Sequence, residues 1–189
     1  MKIGFDLDNT IAIYDNVFRE LGKRLSNVPQ EHTQNKKTLA DYLINNGREN
    51  EWTKLQGEAY GPKMKHATVA INFKETLQNL VNEGNDCYIV SHRTKYPDSG
   101  ATYDLHRTAE RWLIRNFKNS FKAMHFEETI EKKVERIQTL ALEVFVDDLE
   151  KVLKKVNLPK RNLFQYGTKN EHSEWLYLRD WNEFQGLIK

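Results

Sequence analysis

The stretch Lys2-Ile3-Gly4-Phe5-Asp6-Leu7-Asp8-Asn9-Thr10 decides how the rest of the chain is read. Ile3, Phe5 and Leu7 alternate as a strand would, and polar residues follow at its carboxyl end. Continued as extended chain, Asp6 and Asp8 project to the same side, so both carboxylates face one place. Taken alone the pair says little, since a helix N-cap or a solvated turn is the better explanation of an isolated Asp-x-Asp.

Downstream, apolar residues switch regularly between strand-like clusters and helical spacing. Val17, Phe18, Leu21 and Leu25 follow helical spacing after Asp15, a candidate N-cap. Pro29 and a polar stretch to Lys37 read as loop. Helices are expected around Leu39–Ile44, stopped by Asn46-Gly47, and around Trp52, Leu55 and Ala59. From about residue 70 the alternation becomes strict. Phe73–Val81 reads as a helix ending near Gly84, Cys87–Val90 as a strand, and Leu105–Leu113 as a helix. Then come a strand over Phe121–Phe126, a helix over Val134–Leu140 and a strand over Val144–Val146. Leu149–Val156 reads as a helix stopped by Pro159, Leu163–Gln165 as a last strand, and a helix starts at Asp180, where Asp180 and Glu183 have capping-box spacing.

Strands separated by single helices predict an α/β fold, a Rossmann-like parallel sheet covered on both faces. The all-helical stretch 15–68 interrupts this rhythm, so the chain divides into a core, 1–14 and 69–189, and a small α-helical insertion after the first strand, expected over the end of the sheet. In such sheets ligands bind at the carboxyl ends of the strands near the switch point. The residues found there are Asp6 to Thr10, Ser91-His92-Arg93, Lys132-Lys133 at the start of a helix, and Asp147-Asp148.

Composition narrows the classes. The 189 residues allow one domain with a small insertion, and 39% hydrophobic content is that of a folded chain. A formal charge of +2 gives no reason to expect nucleic acid or a membrane surface. The single cysteine, Cys87, cannot form an internal disulfide, which fits a reducing compartment. No charged-then-apolar leader is present, and no apolar run approaches the roughly 20 residues that span a bilayer. The expectation is a cytoplasmic protein. Six scattered histidines lack metal-ligand spacing, which argues against zinc.

The residues at the strand ends suit chemistry on a phosphate ester. A carboxylate approaching an anionic phosphate meets a repulsion of roughly 4 kcal/mol at 4 Å and an effective dielectric near 20. Such a site needs cations, which a Mg²⁺ and a lysine supply. Mg²⁺ takes a few carboxylates together with water and phosphate oxygens. The leaving alkoxide needs a proton and the hydrolytic water must lose one, and a second carboxylate serves both steps.

The order Asp6-x-Asp8-x-Thr10, then Ser91, then Lys133, then Asp147-Asp148, each after the matching element, resembles the four motifs of the haloacid dehalogenase (HAD) superfamily over residues 3 to about 150. The resemblance implies that Asp6 is the nucleophile that becomes phosphorylated and a metal ligand. It makes Asp8 the general acid and then base, binding metal through its backbone carbonyl, and Thr10 a support of that loop. Ser91 would bond the phosphoryl group, Lys133 would neutralise Asp6 and the phosphate, and Asp147 and Asp148 would hold Mg²⁺, the latter directly or through water. Lys132 competes for the lysine role; Lys133 is preferred because Ile137 and Leu140 follow it at four and seven residues on the core-facing stripe.

Dehalogenases of this family lack an acid at the position of Asp8, so its presence implies phosphate transfer. The insertion resembles a small cap of the first type, which in the family closes over small soluble substrates. The implied partner is a phosphorylated metabolite, a sugar phosphate or a nucleotide. His92 and Arg93, in a basic loop running to Lys95, either contact the phosphate or a second anionic group or are merely solvated. Trp52 and Tyr60 either line a substrate pocket or pack the insertion. Rival readings are a HAD-like phosphate-binding or regulatory module without turnover, a nucleotide-sugar transferase using Asp-x-Asp, and a response-regulator receiver. The late position of the acidic pair counts against the receiver.

Overall fold

In the computed structural model, which describes residues 1–167 and 174–188, the sequence folds into two compact units. The first comprises Met1–Ala12, Val69–Arg93 and Asn116–Lys189, and the second Ile13–Thr68 and Thr94–Arg115.

The first unit is a parallel sheet between two helical layers. Strand β1 is Lys2–Phe5 and, after the insertion, helix α4 (Phe73–Asn82) leads to β4 (Asp86–His92). Helix α5 (Leu105–Phe117) then leads to β5 (Ala123–Glu127), and α6 (Ile130–Thr139) to β6 (Val144–Asp147). Helix α7 (Glu150–Leu153), β7 (Leu163–Tyr166), β8 (Leu176–Leu178) and α8 (Trp181–Leu187) complete the order. The sheet runs β5-β4-β1-β6-β7-β8, with every neighbouring pair parallel. The chain steps outward from β1 to β4 and β5, then returns to the other side of β1 for β6, so the switch point lies at β1.

Alternation along β1 assigns its two faces. Phe5 sits in an aromatic cluster on one face, its ring 5.4 Å from Phe73 of α4 and within 6 Å of Trp181 and Phe184 of α8. On the other face Tyr88, Val90 and Phe145 meet Ile137 of α6 and Val152 and Leu153 of α7. Gly4 belongs to that second face. A Cβ there would stand 2.3 Å from Leu142 Cδ1 and 2.8 Å from Phe145 Cδ2, so only glycine fits at the middle of the central strand. Cys87, on β4, is 1% exposed, and burial pushes its thiol up to about 12. We therefore expect a thiol reagent at pH 8 to leave Cys87 untouched in native protein and to label it fully after denaturation; fast native labelling would contradict this packing.

The second unit holds α1 (Asp15–Gly22), α2 (Lys36–Asn45) and α3 (Glu49–Tyr60), with most of α5. Its boundaries fall within two-residue strands, β2 (Ala12–Ile13) and β3 (Thr68–Val69), which form a small separate sheet. The Phe18 ring lies tilted 5.1 Å from Trp52, and Tyr14 meets Tyr60 edge-on at 5.0 Å. Trp52 is thus a core residue of this unit. Asp15 lies in the first turn of α1 rather than capping it, and its carboxylate accepts from the Lys36 N–H.

Three expectations change. Residues 94–115, assigned by alternation to the sheet-bearing core, group with the helical insertion: the Trp112 indole N–H donates to the Ala67 carbonyl and Arg115 to that of Lys65. A sixth strand, β8, follows β7 and was too short to register as a pattern. The helix expected over Leu149–Val156 narrows to Glu150–Leu153 before tighter turns, in which the Lys155 and Val156 N–H groups reach back three residues. The helix begun by Asp180 is present, its carboxylate accepting from the Asn182 N–H. Among the described residues, no helix is long and apolar enough to cross a membrane.

Candidate active site

All the polar residues singled out after β1, β4 and β6 lie in the first unit. Phe5 pairs with Ile89 on one side and Val146 on the other, so β1 and β6 end within one residue of each other while β4 runs three residues further, to His92. Asp6 follows at once, its N–H bonded to the Val146 carbonyl, and Asp147 is the next residue of β6. Asp6 shares the parity of Gly4 and so faces the side covered by α6.

From that side comes Lys133. Thr129 caps α6, its hydroxyl accepting from the Lys132 N–H. Lys133, one residue further on, is 1% exposed, whereas Lys132 is exposed. The Lys133 Nζ donates to Asp6 Oδ1 and Asp147 Oδ2, both at 2.6 Å, and lies 5.5 Å from the centroid of the Phe145 ring. Burial alone would lower the lysine; the two carboxylates outweigh it and hold the ammonium above its ordinary range. Burial works the other way on Asp6, pushing it up to about 7, with Lys133 opposing and the neighbouring carboxylates Asp147 and Asp8 adding to the rise.

A third carboxylate completes the cluster. Asp6, Asp147 and Asp148 each present an oxygen within 4.8 Å of the others. Asp147 is fully buried and its other oxygen accepts from the Leu149 N–H, which fixes the turn after β6. Behind it, buried Gln165 donates to the Asp148 carbonyl at 3.4 Å and accepts from the Trp175 indole at 2.9 Å. Such an all-oxygen set suits a hard divalent cation such as Mg²⁺. Charge points the same way. Asp6, Asp8, Asp147 and Asp148 face Lys133 and Arg93, so four carboxylates against two cations leave two formal negative charges for a divalent ion to offset.

The loop after β1 turns sharply. Asn9 adopts φ 60°, a left-handed conformation that asparagine tolerates, and its N–H bonds the Ala12 carbonyl while Ile11 and Ala12 bond back to Leu7. Thr10 is fully buried, and its hydroxyl stands 3.5 Å from Asp6 Oδ2, the outer limit of a hydrogen bond.

Strand β4 runs past Val90 to include Ser91 and His92, and these two and Arg93 part company. Ser91 is fully buried and, among the described residues, its hydroxyl has no hydrogen-bond partner. His92 reaches the Glu128 carbonyl at 3.2 Å. Arg93 is 4% exposed, and its guanidinium pairs with the Asp8 carboxylate. The alternative of a solvated loop therefore does not hold for Arg93. Its partnership with Asp8 joins residues 85 apart in sequence and has no local signal. Gln165 and Trp175 were likewise not singled out by sequence, since neither belongs to a motif.

A six-stranded parallel sheet with helices on both faces and charged groups gathered at its switch point defines a Rossmann-like α/β class. Within it, solved structures share the fold over nearly the whole chain. A HAD-superfamily hydrolase from Ehrlichia chaffeensis superposes with TM-score 0.60 at 14% identity, covering 99% of this chain and 95% of that one. A protein from Clostridium acetobutylicum described as a predicted phosphatase gives 0.64 at 15%, covering 99% and 97%. A dehalogenase solved with an intermediate gives 0.64 at 10%, covering 99% and 96%. No family model and no curated protein matches the sequence. The fold is that of the HAD-superfamily hydrolases.

Proposed function

We propose that this chain is a Mg²⁺-dependent phosphomonoester hydrolase that works through an aspartyl-phosphate on Asp6. The observation that carries the reading is the buried Lys133 ammonium, 2.6 Å from both Asp6 and Asp147, with Asp148 completing a three-carboxylate cluster. Asp6, Asp147 and Asp148 would hold the ion, with the Asp8 carbonyl, and its charge would offset the repulsion between carboxylate and phosphate.

In this reading an Asp6 oxygen attacks phosphorus and the bond from phosphorus to the alcohol oxygen breaks. Asp8 gives its proton to the departing alkoxide. Asp8 then takes a proton from water, which attacks the phosphoryl group; the bond to Asp6 breaks and inorganic phosphate leaves. Lys133 keeps negative charge balanced throughout. The partnerless Ser91 hydroxyl is the group suited to bond a phosphoryl oxygen, which would end its unsatisfied state. Arg93 acts through Asp8. Its guanidinium pairs with the Asp8 carboxylate and so fixes where that side chain sits, and an arriving phosphate dianion would compete for the same guanidinium. His92, turned to the Glu128 carbonyl, has at most an indirect part.

The dehalogenase likeness does not favour carbon–halogen cleavage, because Asp8 supplies the acid that a departing alkoxide needs and a halide does not. The substrate class is a small phosphorylated metabolite, a sugar phosphate or a nucleotide. The deciding experiment is phosphate release from a panel of sugar phosphates and nucleoside monophosphates, with Mg²⁺ and with chelator. Release confined to the Mg²⁺ arm is expected. Binding without release across the panel would favour a regulatory module, and equal release in chelator would remove the metal from the mechanism.

A further inference from the structure

We infer that the second unit carries a binding site for a small phosphoryl anion, built on one face of α5 and independent of the chemistry proposed for the first unit. A cavity of about 270 Å³ in this unit is lined by Gly61, Lys65, Thr108, Arg111, Trp112 and Arg115. Thr108, Arg111, Trp112 and Arg115 fall at helical spacings of three and four, so they share one face of α5. Lys65 comes from the short turn Met64–His66.

The charge of this cavity has one sign. Three cations line it and no carboxylate does. Among the described residues, neither Arg111 nor Lys65 makes a side-chain ion pair, although the chain as a whole is nearly neutral at +2. Two arginines at i and i+4 on one helix face repel, and no acid lies between them. An oxyanion would turn that repulsion into attraction.

The walls are held in place. The Trp112 indole donates to the Ala67 carbonyl at 3.1 Å and is 2% exposed, so it forms a fixed floor. Arg115 donates to the Lys65 carbonyl at 2.7 Å, which anchors one guanidinium nitrogen and leaves further N–H groups in the fork for a ligand. Thr108 bonds the Asp104 carbonyl, fixing its hydroxyl at the rim. A cavity of this size lies just below the roughly 300–1,000 Å³ of pockets that enclose drug-sized ligands. It suits one or two phosphoryl groups better than a whole nucleotide, and arginine forks match such oxygens in pairs.

Calorimetry on the full chain in chelator, with inorganic phosphate and pyrophosphate as probes, tests the site. Glycerol phosphate in a parallel arm tells whether a free anion or the phosphate of a metabolite is preferred; either order supports the site. Binding of pyrophosphate is expected, weakened at least about tenfold in Arg111→Gln/Arg115→Gln and about threefold in the exposed Lys65→Gln, the latter with an unchanged melting temperature. Should the double variant misfold, the single lysine variant decides alone. No binding by the wild type would overturn the proposal. So would loss of binding in Ser91→Ala but not in the α5 variants, which would put the anion in the first unit. Tighter binding of a single-stranded oligonucleotide, lost in the same α5 variants, would replace the small-anion site with a nucleic-acid surface.

Discussion

An Asp6→Asn variant is expected to release phosphate at least about 10⁴-fold more slowly than wild type, a loss of the size seen when a nucleophile acting within a catalytic unit is removed. In chelator at pH 8 it should melt no lower than wild type. Two properties of Asp6 set these effects in opposite directions. As a nucleophile it has no substitute in the cluster. As a buried carboxyl pushed up to about 7 from an ordinary 3.8, it costs stability when ionised. The sign follows from linkage. Between pH 4 and 7 the folded state binds a proton on Asp6 that the unfolded chain has already lost, so metal-free wild type loses stability as pH rises through that window and then levels off. Lys133 stays protonated across it and adds no slope. The amide variant lacks this loss, and Lys133 keeps Asp147 as its partner. The melting difference in favour of Asn should therefore grow from pH 4 to 7. Mg²⁺ should raise the melting temperature of wild type well above that of the variant. Retained activity, or equal stabilisation of both by Mg²⁺, would sink the assignment of Asp6.

Much of this arrangement was legible because the sheet is parallel and central. Strands buried on both faces read as apolar clusters, and each ends at a turn where polar residues stand out. Asp6, Ser91 and Asp147 are visible in the sequence for that reason, and the pairing of β1 with both β4 and β6 turns sequence order into proximity. Lys133 was separable from Lys132 by the phase of Ile137, because a helix start fixes which of two adjacent residues faces the sheet.

What stayed hidden depends on contacts between distant segments. Nothing near Arg93 signals Asp8, and nothing near Trp112 signals the Ala67 carbonyl. The grouping of 94–115 with the insertion follows from such long-range bonds, while local periodicity there looks like any sheet-covering helix. Strand β8, three residues long, falls below the length at which alternation is a pattern. Gln165 was unreadable for another reason: its use lies in bonds to a backbone carbonyl and to an indole, and no residue spacing encodes either.

Lys133→Met should be the most damaging substitution in the cluster for folding, and it should slow turnover as well. The ammonium is 1% exposed and neutralises two carboxylates that are themselves buried. Methionine fills similar space but leaves those charges facing each other without a cation. Breaking a buried pair by removing one partner costs about 3–5 kcal/mol, far more than the 0–1 kcal/mol of an exposed pair. The deficit should depend on pH. Without Lys133, Asp6 loses the influence that opposes its rise, so it stays protonated further up the scale. A carboxyl raised in the folded state loses stability as pH climbs from its unfolded value, hence the variant should fall further behind wild type at pH 8 than at pH 5. Denaturant unfolding in chelator at the two pH values measures this. Adding Asp147→Asn removes one of the stranded charges, so the double variant should recover part of the loss, a coupling that independent sites would not show. If Lys133→Met unfolds within 1 kcal/mol of wild type at pH 8, or if Asp147→Asn deepens its deficit, then the three groups do not form one charge-balanced cluster. The nucleophile, metal and lysine roles proposed for it would then lose their common physical basis.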